Sequence, residues 1–386
     1  MKNGWQIKTL DQFSTNLDSR RIPITKDIRK GGEYPYYGAS GIVDYVADYI
    51  FDEDALLISE DGANLLARST PIAFPASGKY WVNNHAHILR FANITTQRFV
   101  ELYFESISIV DYVTGAAQPK LTQKALNSIP IPLPPLAEQQ RIVSMLGEAF
   151  EKIATAKANA EKNLQNARAL FESHLSDVFT KEGKAWVDTT IGKQITLLTG
   201  FAFKSKRYTV AEKDVRLLGG DNILQGFLRW ESERRWPVDE AHLYEKFFLC
   251  EGDVVLAMDR PWVKSGLKCA QLVKEDLPCL LIQRTACLRG GKNLNSRLLY
   301  YLICSNAFVK HILGVQTGSG VPHISGHQIL SFAFFLPSLS EQASIVATLD
   351  SLSAETQCLE AIYRQKLAAL EALKKSLLDQ AFSGGL

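Results

Sequence analysis

One passage of this chain occurs twice. Leu133-Pro134-Pro135-Leu136-Ala137-Glu138-Gln139-Gln140-Arg141-Ile142-Val143 returns 203 positions later as Leu336-Pro337-Ser338-Leu339-Ser340-Glu341-Gln342-Ala343-Ser344-Ile345-Val346. The same offset lays Thr114-Gly115-Ala116-Ala117-Gln118-Pro119-Lys120-Leu121 on Thr317-Gly318-Ser319-Gly320-Val321-Pro322-His323-Ile324, so an ordered block is duplicated. A period this long is no solenoid repeat. It predicts two similar halves, each a globular segment followed by a long helix, which a pseudo-twofold axis can relate. Such symmetry suits a bipartite ligand, and double-stranded DNA with two half-sites is the leading candidate.

The helices follow from what is missing. Residues 148–182 and 338–383 contain neither Gly nor Pro, so each stretch reads as an unbroken helix. In the first, Ile142, Leu146, Ala149, Ile153, Ala156 and Ala160 step by fours and threes. Leu164, Ala167, Phe171, Leu175 and Val178 resume after one extra four, a heptad seam with a stutter. The second repeats the logic with Ile345, Leu349, Leu352, Leu359, Tyr363, Leu367, Leu370, Leu377 and Ala381. Each stripe is long for a small domain to cover, and packing the two antiparallel buries both. At 1.5 Å per residue, ~40 residues make a rod of roughly 60 Å. The alternative is that each helix packs only within its own half. Pro130, Pro132, Pro134, Pro135 and Pro337 end the preceding strands and set the helix entries. Glu138 and Glu341 then favour the helix N-terminal dipole, with Ser340 as a cap.

The segments before the helices mix strand and helix signals. Ala55–Ser59, 87–91, 253–257 and 280–288 read as strands, while 98–107 and 296–313 read as helices. The expected fold is α+β: two globular mixed-sheet domains, 1–132 and 183–335, separated by an antiparallel two-helix coiled coil with arms at 133–182 and 336–386.

Composition sets further bounds. Lys+Arg 43 against Asp+Glu 41 excludes a polycationic coat for nucleic acid. Residues 1–132 hold 13 basic and 14 acidic side chains and residues 183–337 hold 20 and 14, so the second segment carries the positive excess that phosphate neutralisation needs. The six cysteines include no C-x-x-C and no His at zinc spacing, and read as reduced, mostly buried thiols of a cytoplasmic protein. Neither a signal-peptide h-region nor an apolar run of ~18 residues is present, so no membrane contact is expected. There is no phosphate loop, no Asn-Pro-Pro-Tyr or Asp-Pro-Pro-Tyr motif, no G-x-G-x-x-G after a strand and no H-E-x-x-H. The acidic runs Glu60-Asp61 and Asp52-Glu53-Asp54 read as solvated loop carboxylates, with no metal expected.

Globular segment, Leu-Pro-Pro-Leu-x-Glu-Gln-x-x-Ile-Val, long helix, then the same order again resembles the specificity (S) subunit of Type I restriction-modification systems over the full length. The resemblance implies that each globular segment is a target recognition domain reading half of a split, asymmetric DNA sequence. It implies that the coiled coil sets the gap between half-sites and docks two methyltransferase subunits, through which translocating endonuclease subunits join. S-adenosylmethionine, ATP and Mg would then belong to those partners, with no cofactor and no catalysis in this chain. Glu138, Gln139, Arg141, Glu341 and Gln342 in the repeated motif become the expected partner contacts. The second copy departs from the first at Ser338 and at Ala343-Ser344, which puts equal partner contacts in both halves in doubt.

Sequence readout needs polar side chains on base edges, with Lys, Arg and small polar loops on phosphates. In the first segment these are Tyr36, Tyr37 and Ser40 in a loop at 34–41, Asn64 and Arg68, Asn83-Asn84-His85, and Gln118 with Lys120 in the repeated turn. In the second they are Lys204, Lys206 and Arg207, Asp221-Asn222, Arg260, Lys264, Gln283-Arg284, and Thr317, Ser319 and His323. Each has a plainer reading as a turn, core or solubilising residue, and the repeated Thr-Gly-x-x-x-Pro turn also reads as a structural lead into the strand before the helix. Three other readings stay open on the residues alone: a self-sufficient enzyme with an unrecognised active site, such as a nuclease with built-in specificity, a coiled-coil scaffold whose heads bind proteins, and, nearer by, the recognition subunit of another multi-subunit DNA-modification enzyme.

Overall fold

In the computed structural model, which describes residues 4–115, 117–180, 186–231, 234–317, 321–383 and 385, the sequence repeat becomes a repeat of topology. One compact unit combines Met1–Lys162 with Arg364–Leu386, and the other is Asn163–Tyr363. Each unit therefore contains part of both long helices.

The first unit is built around Ala55–Ser59, an apolar run buried along its whole length. This strand pairs antiparallel with Ala86–Phe91 on one side and Ala73–Ala76 on the other, and Ser14–Asn16 completes the sheet beyond Ala86–Phe91. A second, mixed sheet places Gly31–Gly38 between Gly41–Val46, antiparallel, and Lys79–Val82, parallel. In the second unit Val254–Ala257 takes the central place, flanked by Thr285–Gly290 and Cys269–Gln271, with Ile195–Thr199 outermost. Its second sheet pairs Val215–Leu218 parallel to Cys279–Leu281. Each unit also closes with a short antiparallel ladder, Gln6–Lys8 on Ile131–Leu133 and Val187–Thr190 on Ala333–Leu336. These ladders bring the start of each segment beside the entry to its long helix.

Local chemistry moved several boundaries. The helix expected at 98–107 starts at Ile94, four residues earlier, because the Asn93 side chain accepts from Thr96 N at 2.8 Å. The expected helix 296–313 is two helices, Ser296–Cys304 and Asn306–Val315, bent by 60°. Ser305 between them has extended backbone and caps the second, which ends one helix and starts another within a residue. Both pack into the apolar core, and among the described residues no single helix is long and apolar enough to cross a membrane. The expected strand 280–288 is broken at Gln283-Arg284 into strands of different sheets. The expected loop 34–41 is mostly the strand Gly31–Gly38, with its turn at 39–40. All six cysteines are unpaired; Cys269, Cys279 and Cys287 are buried, whereas Cys250 and Cys358 are exposed.

The long helices run Leu136–Thr180 and Leu339–Ser383. Within the first unit Ile142 and Leu146 pack with Leu378 and Ala381 over Phe99 and Leu102, and Lys157 pairs with Glu371. Within the second unit Leu175 packs with Leu349 and Tyr301, and Arg168 pairs with Glu360 at 2.7 Å. In both units the helices are antiparallel. Neither half keeps its own helix to itself: the first unit's core is completed by the C-terminal end of the chain. The first seam is as its spacing indicates, with Ile142, Leu146, Ile153, Ala160, Ala167 and Leu175 buried. The second is not quite, because Leu359 is 42% exposed while its neighbour Glu360 faces Arg168. Successive steps of four through Leu352, Thr356 and Glu360 carry the seam one position past Leu359. Ser338, not Ser340, caps this helix: Ser338 Oγ accepts from Glu341 N at 3.4 Å, and Glu341 Oε2 accepts in return from Ser338 N at 3.0 Å.

Candidate nucleic-acid interface

The repeated turn is anchored in the same way in both units. Thr114 and Lys120 exchange backbone hydrogen bonds of 2.9 and 2.7 Å, and Thr317 and His323 exchange bonds of the same lengths. Gly115 makes the turn possible, since its φ is +86° and a Cβ there would meet the Gln118 carbonyl at 2.4 Å. Each turn is then tied to the residues that follow its unit's central strand. Leu121 N donates to Glu60 O at 2.7 Å and Gly62 N to Pro119 O at 3.0 Å. In the second unit Ile324 N donates to Met258 O at 2.9 Å and Arg260 N to Pro322 O at 2.7 Å. Glu60 N and Met258 N are themselves bound by the carbonyls of His85 and Arg284, each at 2.9 Å. The turn is thus structural, and it also presents side chains beside the ends of the central strands.

The side chains there repeat a charge arrangement with different chemistry. Asp61 holds His85 at 2.8 Å, and Glu60 holds Lys120 at 3.1 Å. In the second unit Asp259 holds Arg284 at 3.1 Å and His323 at 2.6 Å. The sequence reads Asp61 as a solvated loop carboxylate and does not single out Asp259, although aligning the apolar runs of the two central strands places one on the other.

In the second unit Asp259 and Arg284 border a cleft of about 470 Å³. Strand ends build it: Gly220-Asp221 after Leu218, Asp259-Arg260 after Ala257, Gln283-Arg284 after Leu281, and Lys268 just before Cys269. Arg234 crosses it to pair with Asp221. Burial pushes the Lys268 ammonium below the ordinary lysine range, and Arg229 and Arg260 push the same way against Asp221. Cations crowded at their own cost favour an anionic ligand. Arg234 and Lys268 were not singled out from sequence, because nothing local distinguishes them from solubilising residues.

The first unit has a more balanced cluster. Asp18, Glu60 and His87 approach one another closely enough to suggest a metal site, but their atoms are already engaged. Arg21 lies 2.5 Å from Glu60, and buried His87 sits between the Asp18 carboxylate at 2.6 Å and the Leu121 carbonyl at 2.8 Å. Burial raises the Asp18 carboxyl pKa, yet the hydrogen bond and charge of His87 outweigh it and hold Asp18 below the ordinary range. For Glu60 burial is likewise outweighed, by Arg21 first and then His87 and Lys120. Carboxylates depressed in the folded state stabilise it above their unfolded pKa, about 4, and lose that contribution as pH falls through the folded values. Between pH 6 and 3 the first unit's melting temperature should be level down to about pH 5 and drop below about pH 4. Glu60→Gln should flatten the drop, and an unchanged slope in thermal melts from pH 6 to 3 would count against this network.

Several other expected contacts serve the scaffold. Tyr36 is 1% exposed and its hydroxyl bonds the Ile24 backbone. Tyr37 stacks on Phe74 and meets Tyr80 edge-to-face. Asn64 ties down the backbone of Thr70, Arg68 donates to the carbonyls of Phe104 and Ile107, and Asn83 accepts from His85 N. Asn222, 1% exposed, bonds Gly219 N and Arg229 O and so shapes the cleft from below. In contrast Ser40, Asn84, Gln118, Lys204, Lys206, Lys264, Gln283 and Thr317 are exposed. Lys264 sits at the tip of the hairpin Trp262–Val263 and Gly266–Leu267, whose Trp262 is 43% exposed. Arg207 is paired with Glu240 beside Trp236. Ser319 lies outside the described residues.

The motif residues expected at partner contacts divide. Gln139 is buried, accepting from Thr96 Oγ1 at 2.8 Å and donating to Pro134 O at 2.8 Å. Gln342 is 0% exposed, accepting from Asn295 N and donating to Asn293 O and Pro337 O. These glutamines lock each long helix to its own unit, which removes them as partner contacts. Glu138 pairs with Arg141 at the surface, and Glu341 completes the capping box with Ser338.

The chain resembles proteins already described. The Type I restriction enzyme MjaVIII specificity subunit of Methanocaldococcus jannaschii is 24% identical over 98% of this chain and 92% of its own length. The Escherichia coli Type I restriction enzyme EcoAI specificity subunit is 25% identical over 77% of this chain and 66% of its own. In fold, the HsdS subunit from Thermoanaerobacter tengcongensis matches with a TM-score of 0.60 at 18% identity, over 100% of this chain and 98% of that one. A chain from a structural study of type I R-M complex assembly and conformational transition matches with a TM-score of 0.75, also at 18% identity, over 100% and 99%. The sequence profile of the Type I restriction modification DNA specificity domain fits residues 2–165 and 238–371, and the chain belongs to that family.

Proposed function

We propose that this chain gives a Type I restriction-modification complex its DNA sequence specificity and does no chemistry itself. Each unit reads one half of a split target, and because the two clusters differ in chemistry the target is asymmetric. The observation that carries this is the repeated framework at the central strand ends, which holds Asp61, His85 and Lys120 in one unit and Asp259, Arg284 and His323 in the other. One scaffold presenting two sets of polar groups is what a reader of two different half-sites requires. The domains 1–132 and 183–335 act as the target recognition domains, and the arms 133–182 and 336–386 set the number of base pairs between half-sites. Two methyltransferase subunits, carrying S-adenosylmethionine, dock on the helices and flip the target base, with endonuclease subunits using ATP and Mg joining through them in the cytoplasm.

Methylation mapping tests this directly. A host expressing this chain with its methyltransferase subunit should acquire methylation at a split, asymmetric motif with a fixed gap. The methyltransferase alone should leave none. Methylation without this chain, or none with it while the same methyltransferase works beside another specificity subunit, would overturn the reading.

A further inference from the structure

Among the described non-glycine residues, Arg68, Arg260 and Arg284 have left-handed backbone, with φ of 50°, 46° and 65°. Arg68 has an evident reason, since its guanidinium caps the end of helix Ile94–Ser106. The other two line the same cleft of the second unit. The first unit shows what the framework accepts there. Gly62, at φ +102°, occupies the place of Arg260 and makes the same bond to the proline of the repeated turn. Glycine adopts such backbone freely, whereas an arginine does so against its own Cβ. The Arg260 guanidinium makes no hydrogen bond or ion pair with any described residue, so the fold gains no such contact from it. Arg284 is held at one point, by Asp259 Oδ2, and its side chain remains 70% exposed. His323 takes the other oxygen of Asp259. Strained residues that the scaffold does not need point to ligand contact.

We propose that Arg260 and Arg284 determine specificity in the half-site bound by the second unit by reading guanine edges, with Asp259 positioning Arg284. The inference rests on the chain's proposed role in DNA recognition. A guanidinium presents a fork of donors that fits guanine O6 and N7 together, and this fit requires the side chain to be aimed. A phosphate makes no such demand, and half-buried Lys268 with the lysines at 204 and 206 can supply that contact.

The test uses the complex of this chain with its methyltransferase subunit, carrying Arg260→Gly or Arg284→Asn, residues that tolerate left-handed backbone. Methylation mapping, DNA binding at fixed salt and thermal melts are read together. Both variants should melt no lower than wild type, because strain is relieved. Each should relax the motif at a guanine position of one half-site, reducing discrimination there by roughly 10- to 100-fold, while the other half-site and the gap are unchanged. Affinity lost equally for all sequences with the motif intact would assign these arginines to phosphates and overturn the proposal. So would an unchanged motif, or melting well below wild type, which would make them structural. A wild-type complex that methylates no split motif would instead bring down the specificity role beneath it.

Discussion

A chain ending at Tyr363 should lose the fold of its first unit, although the residues removed are the farthest from that unit in sequence. Arg364–Leu386 belongs to it. Leu377, Leu378, Ala381 and Phe382 cover Phe99, Leu102, Ile142 and Leu146, with Phe382 set edge-on against Phe99 and Tyr103 at 5.2 and 5.3 Å. Burying a large apolar side chain contributes about 1.5–3 kcal/mol, so losing this layer removes on the order of 10 kcal/mol. That equals the whole stability of an ordinary domain, about 5–15 kcal/mol. Lys374, which pairs with Glu105 and lies 4.9 Å from the Phe150 ring, is lost as well. Amide exchange at Ala55–Ser59 should become fast in the truncated chain. Leu373→Ala, at a 47% exposed position of the same helix, should shift stability by less than ~0.5 kcal/mol. Protection of Ala55–Ser59 that survives truncation would show that the first unit does not need this helix.

Gln342→Ala should be the most damaging single substitution in the repeated motif. It strips partners from Asn295 N–H and from the carbonyls of Asn293 and Pro337, of which the Pro337 bond is fully buried and the other two partly so, and leaves a cavity where the buried Gln342 side chain stood. An unsatisfied buried group costs about 1–3 kcal/mol, so the total is roughly 3–5 kcal/mol. For a unit of this size that lowers Tm by roughly 10 °C. Gln139→Ala, which removes bonds to Thr96 and Pro134, should cost about 2–3 kcal/mol. Arg141→Ala breaks an exposed pair with Glu138 and should be near neutral. Calorimetry separates the possibilities: glutamine variants of wild-type Tm that fail to bind methyltransferase would return these residues to partner contact.

These two expectations mark where the sequence was legible. The repeat, the two long helices, the first seam and the strands Ala55–Ser59 and 254–257 could be read directly, because periodicity and the absence of Gly and Pro are local properties. The Glu-Gln motif was visible as a motif, but its meaning was not. A glutamine that satisfies buried backbone from another segment looks the same in sequence as one that faces a partner. Helix 296–313 was read as continuous because Ser305 is ordinary in a helix until its backbone turns extended. Leu359 was read as seam because heptad counting does not register where the partner helix has its stutter.

For the candidate site the division is sharper. The sequence by itself determined that one block is used twice, that its turn contains Thr-Gly and a proline, and that the second segment carries the positive excess. Only the tertiary structure decided that Tyr36, Arg68, Asn83 and Asn222 serve the scaffold, that Asp61 and Asp259 pair with the side chains beside them, and that Arg260 has left-handed backbone where the other unit has Gly62. The physical reason is that charge pairing and backbone strain depend on which strand ends meet. That meeting is set by sheet register across residues nearly a domain apart, and no local pattern encodes it.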